Sequence, residues 1–248
     1  MKTIDVWRAS LDRSAEETAN LLTLLSATEQ DRASRFHREI DRSRYITGRA
    51  TLRILIGDYI GTPADLVPLG VLPSGKPSID ARANSQRLHF NLSHTESDAV
   101  FAFSAKPIGI DIQKMEGFAE AHRVAAHFFA PAEAATFDRI DATERERYFF
   151  RTWVRKEAYL KATGQALAVD PSKVYVEDSI GGCTEITDPD GSTHIDRRFM
   201  VYDLTGAPGN VAAIAIEASL CPPAIHIREW SHRDNISLAQ AEEVSARV

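Results

Sequence analysis

The sequence predicts an α+β fold with an internal duplication, and three observations carry that prediction. Helical periodicity dominates residues 16–60 and returns over 118–163. Each helical stretch is followed by short segments that alternate apolar and polar side chains, at 88–113 and again over 174–216. The chain has 248 residues, 44% hydrophobic and 26% charged, which allows one large domain or two small ones with a substantial core. Helices then strands, twice over, is the pattern of α+β rather than of alternating βαβ units. No repeat is visible at the level of residue identity.

Taken in order, residues 1–10, with TIDVWRAS, read as a first strand, and a short helix follows near Glu16–Ser26. Ser26 to Arg35 begins another helix. Tyr45–Ile60 is a long one, with Ile46, Leu52, Leu55, Ile56 and Tyr59 on one face and Gly61 as its stop. The section VPLGVLPSGKPSID is rich in turn residues between short strands. Leu88, Phe90 and Leu92 alternate with His89, Asn91 and Ser93, AVFAFS runs back, and PIGIDIQK runs forward again, so a three-stranded meander is expected from Leu88 to Gln113. Helices are expected at Phe118–Phe129, Pro131–Ile140 and from Thr143 to Thr163. Strands are expected at Val174–Glu177, Cys183–Ile186, Phe199–Leu204 and Asn210–Ile216. The tail after Pro223, with Trp230 and the polar SLAQAEEVSARV, reads as a peripheral appendage.

Composition narrows the function. No apolar run approaches the length of a membrane span, and the N-terminus lacks a signal-peptide core. Cys183 and Cys221 have no metal-ligand spacing, and two cysteines make no disulfide scaffold, so a reducing cytoplasm is the expectation. A net charge of −6 argues against nucleic acid or an acidic membrane as partner. Yet Arg32, Arg35, Arg38, Arg42, Arg44, Arg49 and Arg53 face only Glu39 and Asp41 within their window. That leaves the window at +5 and the rest of the chain at −11. Such an island suits a compact, highly charged anion.

Asp111 sits at the centre of the strand IGIDIQ, where aspartate is a poor strand former. In YFFRTWVRKEAYLKATG, the spacing of Phe150, Trp153, Val154, Glu157, Ala158 and Lys161 describes one core-facing helical stripe, with Gly164 at the C-cap. Glu157 and Lys161 are thereby expected at or beside the buried face, where isolated charge is expensive; the plainer reading is a solvated i,i+4 pair. A strand carboxylate and a half-buried helical carboxylate, with no cysteine ligand, suit a hard cation such as Mg²⁺. Gln113 lies on the same strand face as Asp111. For Asp111 the alternative is a carboxylate capping backbone donors. Lys76, in SGKP, lacks the spacing of a phosphate-binding loop and by itself reads as a solvated turn lysine. Ser93 and His94 are neighbours on a strand, so they point to opposite faces and make no nucleophile–base pair; binding roles or a structural turn remain.

GKP at Gly75–Pro77, FNLSH at Phe90–His94, IGIDIQ at Ile108–Gln113 and WVRKEAYLKATG at Trp153–Gly164, with RYITGRATLR at Arg44–Arg53, together resemble the 4′-phosphopantetheinyl transferases of the surfactin-synthetase-activating type. The resemblance implies two similar α/β lobes related by a pseudo-twofold axis, residues 1–105 and 106–222, with the active site between them and residues 223–248 as an extension. It implies transfer of the phosphopantetheine arm of coenzyme A to a serine of an apo acyl or peptidyl carrier protein, with release of 3′,5′-ADP, by a monomer. Arg49, with Arg44 and Arg53, would lie near the 3′-phosphate together with His94; Ser93 would lie near the nucleotide, Lys76 in the nucleotide-binding loop, and Arg32 at a basic position of the family. Glu29, one turn before Arg32, departs from a double-basic pattern. Asp111 and Glu157 would hold Mg²⁺, with Gln113 where many relatives carry a third acidic ligand. Glu157, directly or through water, would be the base, and Lys161 would stabilise the departing phosphate. A non-catalytic coenzyme A- or carrier-binding homologue and a Mg²⁺-dependent nucleotide pyrophosphohydrolase are the competing classes, the latter disfavoured for want of a carboxylate-dense helix.

Overall fold

The computed structural model describes residues 3–72, 75–117, 119–164, 169–176, 183–186, 199–205, 208–218 and 223–231. The first half runs β1 (Thr3–Ser10), α1 (Ala15–Leu22), α2 (Ala27–Ser34), α3 (Glu39–Ile60), the small hairpin β2 (Leu69–Val71) and β3 (Pro77–Ile79), and the hairpin β4 (His89–Thr95) and β5 (Asp98–Ser104). The second half runs β6 (Ile108–Lys114), α4 (Ala121–Phe128), α5 (Pro131–Arg139), α6 (Ala142–Thr163), β7 (Cys183–Ile186), β8 (Phe199–Leu204) and β9 (Asn210–Glu217), and the described chain closes with β10 (Ala224–Trp230). One sheet has the order β10-β1-β5-β4 and the other β6-β9-β8-β7.

Strand parity sets the layers. Ile4, Val6, Val100 and Ala102 of the first sheet pack on Ile108, Ile110, Ile112, Ile214 and Ile216 of the second, forming the core between the sheets. The alternate residues, Trp7, Ala9, Phe101 and Phe103, turn outward onto Leu52, Leu55 and Ile56 of α3. Ala213 and Ala215 likewise turn outward onto Val154, Ala158 and Leu160 of α6. The result is a helix–sheet–sheet–helix sandwich, each sheet buried on both faces.

The two halves repeat one plan. In each, a first strand pairs antiparallel with the last strand of a following hairpin, β1 with β5 and β6 with β9. Two short helices and a 22-residue helix intervene, and both long helices end on a left-handed glycine, Gly61 (φ 68°) and Gly164 (φ 74°). The repeat extends to a buried ion pair. Glu29 is the third residue of α2 and Glu133 the third of α5; Arg53 is the fifteenth of α3 and Lys156 the fifteenth of α6. Glu29 meets Arg53 at 2.6 Å and Glu133 meets Lys156 at 2.7 Å. Each cation also donates to two carbonyls around the 3₁₀ turn that follows its long helix: Ala64 and Val67 for Arg53, Pro171 and Val174 for Lys156. Each glutamate accepts from its own helix's N-cap nitrogen, Ser26 or Ala130. This clamp ties the long helix of each lobe to its short helix and to the chain that leaves it.

Three expectations are corrected. The meander over 88–113 breaks after β5, because β6 belongs to the other sheet and pairs with β9. Val174 and Val176 are buried but in irregular extended chain after the turn Pro171–Lys173, not in a strand, and Glu177 lies outside the described residues. The segment read as an appendage instead returns to the first lobe: β10 pairs parallel with β1, Ile225 and Ile227 enter the core between the sheets, and Trp230 packs in the first lobe's outer core. The predicted polar stretch SLAQAEEVSARV, together with Phe118 and Cys221, lies outside the described residues.

Gly109 sets how closely β6 approaches α6, since a Cβ there would lie 2.0 Å from the carbonyl oxygen of Ala158 and 2.4 Å from the nitrogen of Ala162. Both obstacles are backbone, so Gly109→Ala is expected to cost about 3 kcal/mol or more, read as a fall in urea midpoint. Glu29→Gln is expected to cost about 3–5 kcal/mol at neutral pH, because Arg53 keeps its charge in a buried place. Burial alone would raise the Glu29 pKa, but the Ser26 N–H, Arg49 and Arg53 outweigh it and hold the carboxyl below its usual 4.5. The folded pKa is thus below the unfolded one. Its contribution is full above about pH 4.5 and is lost as pH falls through the folded value, which denaturation at pH 7 and pH 4 would separate.

Candidate active site

The edge strands of the two sheets, β4 and β6, lie side by side without a backbone ladder, and side chains replace it. Asn91 Oδ1 accepts from the Ile110 N–H at 2.8 Å, and Thr95 Oγ1 accepts from the Lys114 N–H at 3.3 Å. Between them Ser93 Oγ donates to Asp111 Oδ1 at 2.6 Å. Asp111 alternates with the core isoleucines and so faces α6, where Lys161 Nζ reaches the same Oδ1 at 2.6 Å, Ser93 Oγ at 3.1 Å and the Ile110 carbonyl at 3.3 Å. Asp111 is 2% exposed, yet its Oδ2 has no hydrogen-bond partner among the described residues. An unpaired buried carboxylate oxygen is expensive, and it marks the side of Asp111 that awaits a ligand.

Glu157 stands one helical turn before Lys161, half-buried, and burial, reinforced by the Asp111 carboxylate and opposed by Lys161, raises its pKa. The expected single stripe on α6 divides. Val154 and Ala158 go to the core, while Trp153, Glu157 and Lys161, each half-exposed, line the cleft. From the first lobe, Lys76 extends across to donate to the Lys161 carbonyl at 2.9 Å and the Ile108 carbonyl at 3.4 Å. A cation at the last turn of α6 complements the helix dipole. Burial, with Lys161 nearby, lowers the Lys76 pKa to about 8. Lys76 is therefore no solvated turn lysine.

These groups share one cleft of about 1460 Å³ between the lobes, lined also by Gln113, His94, Arg32, Arg44 and Arg49. Burial, then the nearby Lys161, lowers the His94 pKa. Arg53 does not reach the cleft; at 2% exposure it is the clamp cation of the first lobe, which corrects its assignment to ligand binding. The arginine island is also largely neutralised. Arg49 is held by Glu29 at 2.5 and 2.9 Å, Arg44 by Asp12, Arg35 by Asp31, Arg42 by Glu39 and Arg38 by Asp41. Arg32, stacked over Tyr45 with 5.5 Å to the ring centroid, has no carboxylate partner among the described residues.

Glu29 and Asn91 were not among the candidate residues, though both had a signal. Glu29 closes a Ser-x-x-Glu capping box from Ser26, and Asn91 shares Ser93's strand face by the period of two. For a metal, Asp111 Oδ2 and the carboxyl of Glu157, which has no hydrogen bond among the described residues, offer two hard oxygens on one cleft wall, with Gln113 two residues along the strand. That fits Mg²⁺, which takes one or two carboxylates and completes its shell with water and phosphate. Among the described residues no cluster of three or more histidine, cysteine, aspartate or glutamate side chains could hold a metal.

A two-lobed α+β fold with carboxylates and lysines in the cleft between its lobes defines a class, and the chain's similarities give that class its name. The profile of the 4′-phosphopantetheinyl transferase superfamily matches residues 107–211, and the profile described as 4′-phosphopantetheinyl transferase, N-terminal, matches residues 7–106. The 4′-phosphopantetheinyl transferase HetI of a Nostoc species is 34% identical over 166 residues, covering 66% of this chain and 70% of that protein. A 4′-phosphopantetheinyl transferase of Bacillus subtilis is 30% identical over 189 residues, 75% of this chain and 82% of that protein. The transferase Sfp of Bacillus subtilis strain 168 is 27% identical over 177 residues, 71% and 77% respectively. The chain belongs to the 4′-phosphopantetheinyl transferases, in their Sfp-like branch.

Lys76 gives the cleft a pH dependence. Its folded pKa of about 8 lies below the ordinary 10.5, so burying the cation costs stability below pH 8, and that cost fades as pH rises towards 10.5. Binding has the opposite slope. Affinity of the cleft for inorganic pyrophosphate, followed by calorimetry, is expected to fall several-fold as pH rises through about 8, and Lys76→Met is expected to flatten that step.

Proposed function

We propose that this cleft moves the 4′-phosphopantetheine arm of coenzyme A to a serine of an apo acyl or peptidyl carrier protein and releases 3′,5′-ADP, with Mg²⁺ as the metal. Family membership makes the chain a transferase of this kind. The observation that carries the site is the bare, buried Oδ2 of Asp111 beside the half-buried Glu157. Asp111 and Glu157, with Gln113 as a neutral neighbour, would hold Mg²⁺, which supplies charge neutralisation at the pyrophosphate.

The remaining roles belong to the chain itself. Lys76 and Lys161 set two cations on the cleft wall within reach of a pyrophosphate, and neither ammonium has to be drawn from bulk water. The carrier serine oxygen attacks the β-phosphorus, its proton passes to Glu157 directly or through water, and the bond to 3′,5′-ADP breaks. A carboxylate that ligates Mg²⁺ is a weak base, so a water beside Glu157 is the alternative acceptor of that proton. Lys161 then stabilises the phosphate that leaves. Arg32, Arg44 and Arg49, which also line the cleft, are the cations available to a second phosphate, with His94 on β4. One chain supplies both walls, so the site needs no second copy, and we read the protein as a monomer.

Intact-mass spectrometry of an apo carrier protein incubated with this protein, coenzyme A and Mg²⁺ is expected to show the added mass of one phosphopantetheine, lost with a chelator. Binding of coenzyme A without transfer, across several carrier types, would leave the non-catalytic reading instead. Asp111→Ala and Glu157→Ala are expected to slow transfer at least about 10²-fold. Gln113→Ala is expected to change it less than about threefold, since Mg²⁺ readily keeps water where a neutral ligand is lost.

A further inference from the structure

We propose that Ser93 is a positioning residue for the metal-binding carboxylate of Asp111. The proposal rests on the reading of Asp111 as a metal ligand. It starts from the hydrogen-bond capacity of one hydroxyl. Ser93 has a single hydrogen and two lone pairs. The hydrogen goes to Asp111 Oδ1 at 2.6 Å, and Lys161 Nζ fills one lone pair at 3.1 Å. The side chain is buried at 7% exposure, and what it has left is one lone pair.

The same two donors define the carboxylate. Ser93 and Lys161 both hold Oδ1, at 2.6 Å each, while Oδ2 is buried and bare. The carboxyl is held through one oxygen, and the other is left without a hydrogen-bond partner among the described residues. A free carboxylate would turn to share its oxygens between a cation and whatever donors are near. Outer partners of this sort orient a metal ligand, and their loss commonly costs about 10–100-fold in metal affinity.

The neighbouring rungs show that Ser93 is not only mortar between the lobes. Asn91 and Thr95 both accept from backbone N–H groups of β6, which is how side chains substitute for a missing ladder. Ser93 sits between them on the same face, yet donates to a side chain. The bond also crosses the lobe boundary, so the orientation of a second-lobe ligand is set by a first-lobe residue.

The test measures Mn²⁺ affinity of the coenzyme A-saturated protein by electron paramagnetic resonance, and coenzyme A affinity in the presence of chelator by calorimetry. Ser93→Ala is expected to weaken Mn²⁺ binding about 10–100-fold, leave chelator-condition coenzyme A affinity within about twofold, and be rescued by Ser93→Thr. If Ser93→Ala does not fold, the isosteric pair Ser93→Thr and Ser93→Val carries the same comparison. Unchanged Mn²⁺ affinity without the hydroxyl would overturn the proposal. An equal loss of coenzyme A affinity under chelator would overturn it too, and would return Ser93 to the nucleotide. A native protein that binds coenzyme A but no Mn²⁺ would sink the metal reading itself, and this proposal with it.

Discussion

The seam between β4 and β6 is the constraint on which the site depends. Two sheet edges meet there, and unpaired edges are a liability that a fold must satisfy or cover. Here side chains of β4 reach the next strand: Asn91 and Thr95 accept from its backbone N–H groups, and Ser93 donates to its Asp111. A regular ladder would spend β6's outward groups on backbone pairing alone. The seam instead leaves one rung for chemistry, and that rung is Asp111. Gly109 makes this possible from the other side, because only a residue without a Cβ lets β6 sit close enough to α6 for Lys161 to reach across.

The duplication works as an internal control on function. Arg53 and Lys156 hold equivalent places in the two long helices, are both buried, and both pair with the capping glutamate of a short helix. What both lobes keep is structure. The sixteenth residue is Ile54 in α3 and Glu157 in α6; the twentieth is Asp58 and Lys161; the eleventh is Arg49 and Thr152. Glu157, Lys161 and Arg49 line the cleft, and none has a like counterpart. At these three positions divergence between the lobes coincides with a place in the cleft, whereas Arg44, also in the cleft, has a like counterpart in Arg147. Arg49 grafts a cleft residue onto the clamp, sharing Glu29 with Arg53.

Charge in the cleft is arranged more sparingly than the arginine-rich window suggests. Most of those arginines are spent on nearby carboxylates, and exposed pairs of that kind contribute little to stability and are screened by salt. The unspent cationic character lies with Lys76 and Arg32, while Lys161 is paired with Asp111. Lys76 is held by two main-chain carbonyls and Lys161 by a carbonyl and the Asp111 carboxylate, so the cleft keeps them in place before any anion arrives. Preorganised groups cost no reorganisation when charge develops.

Much of this was legible in the sequence. The period of two placed Asp111 apart from the isoleucines that flank it, the helical spacing put Glu157 one turn from Lys161, and the ordered motifs from Gly75 to Gly164 identified the family. The helices and most strands follow from local pattern, with ends moved by a few residues. Tertiary structure alone decided who faces whom. Periodicity says which residues share a face but not what lies across from it, so the break in the meander after Ser104, the return of Ala224–Trp230 to the first lobe, and the meeting of Ser93 with Asp111 could not be read from spacing. Arg53 shows the limit most clearly. Its charge suggested a ligand, while a glutamate 24 residues earlier and two carbonyls had already taken it into the core.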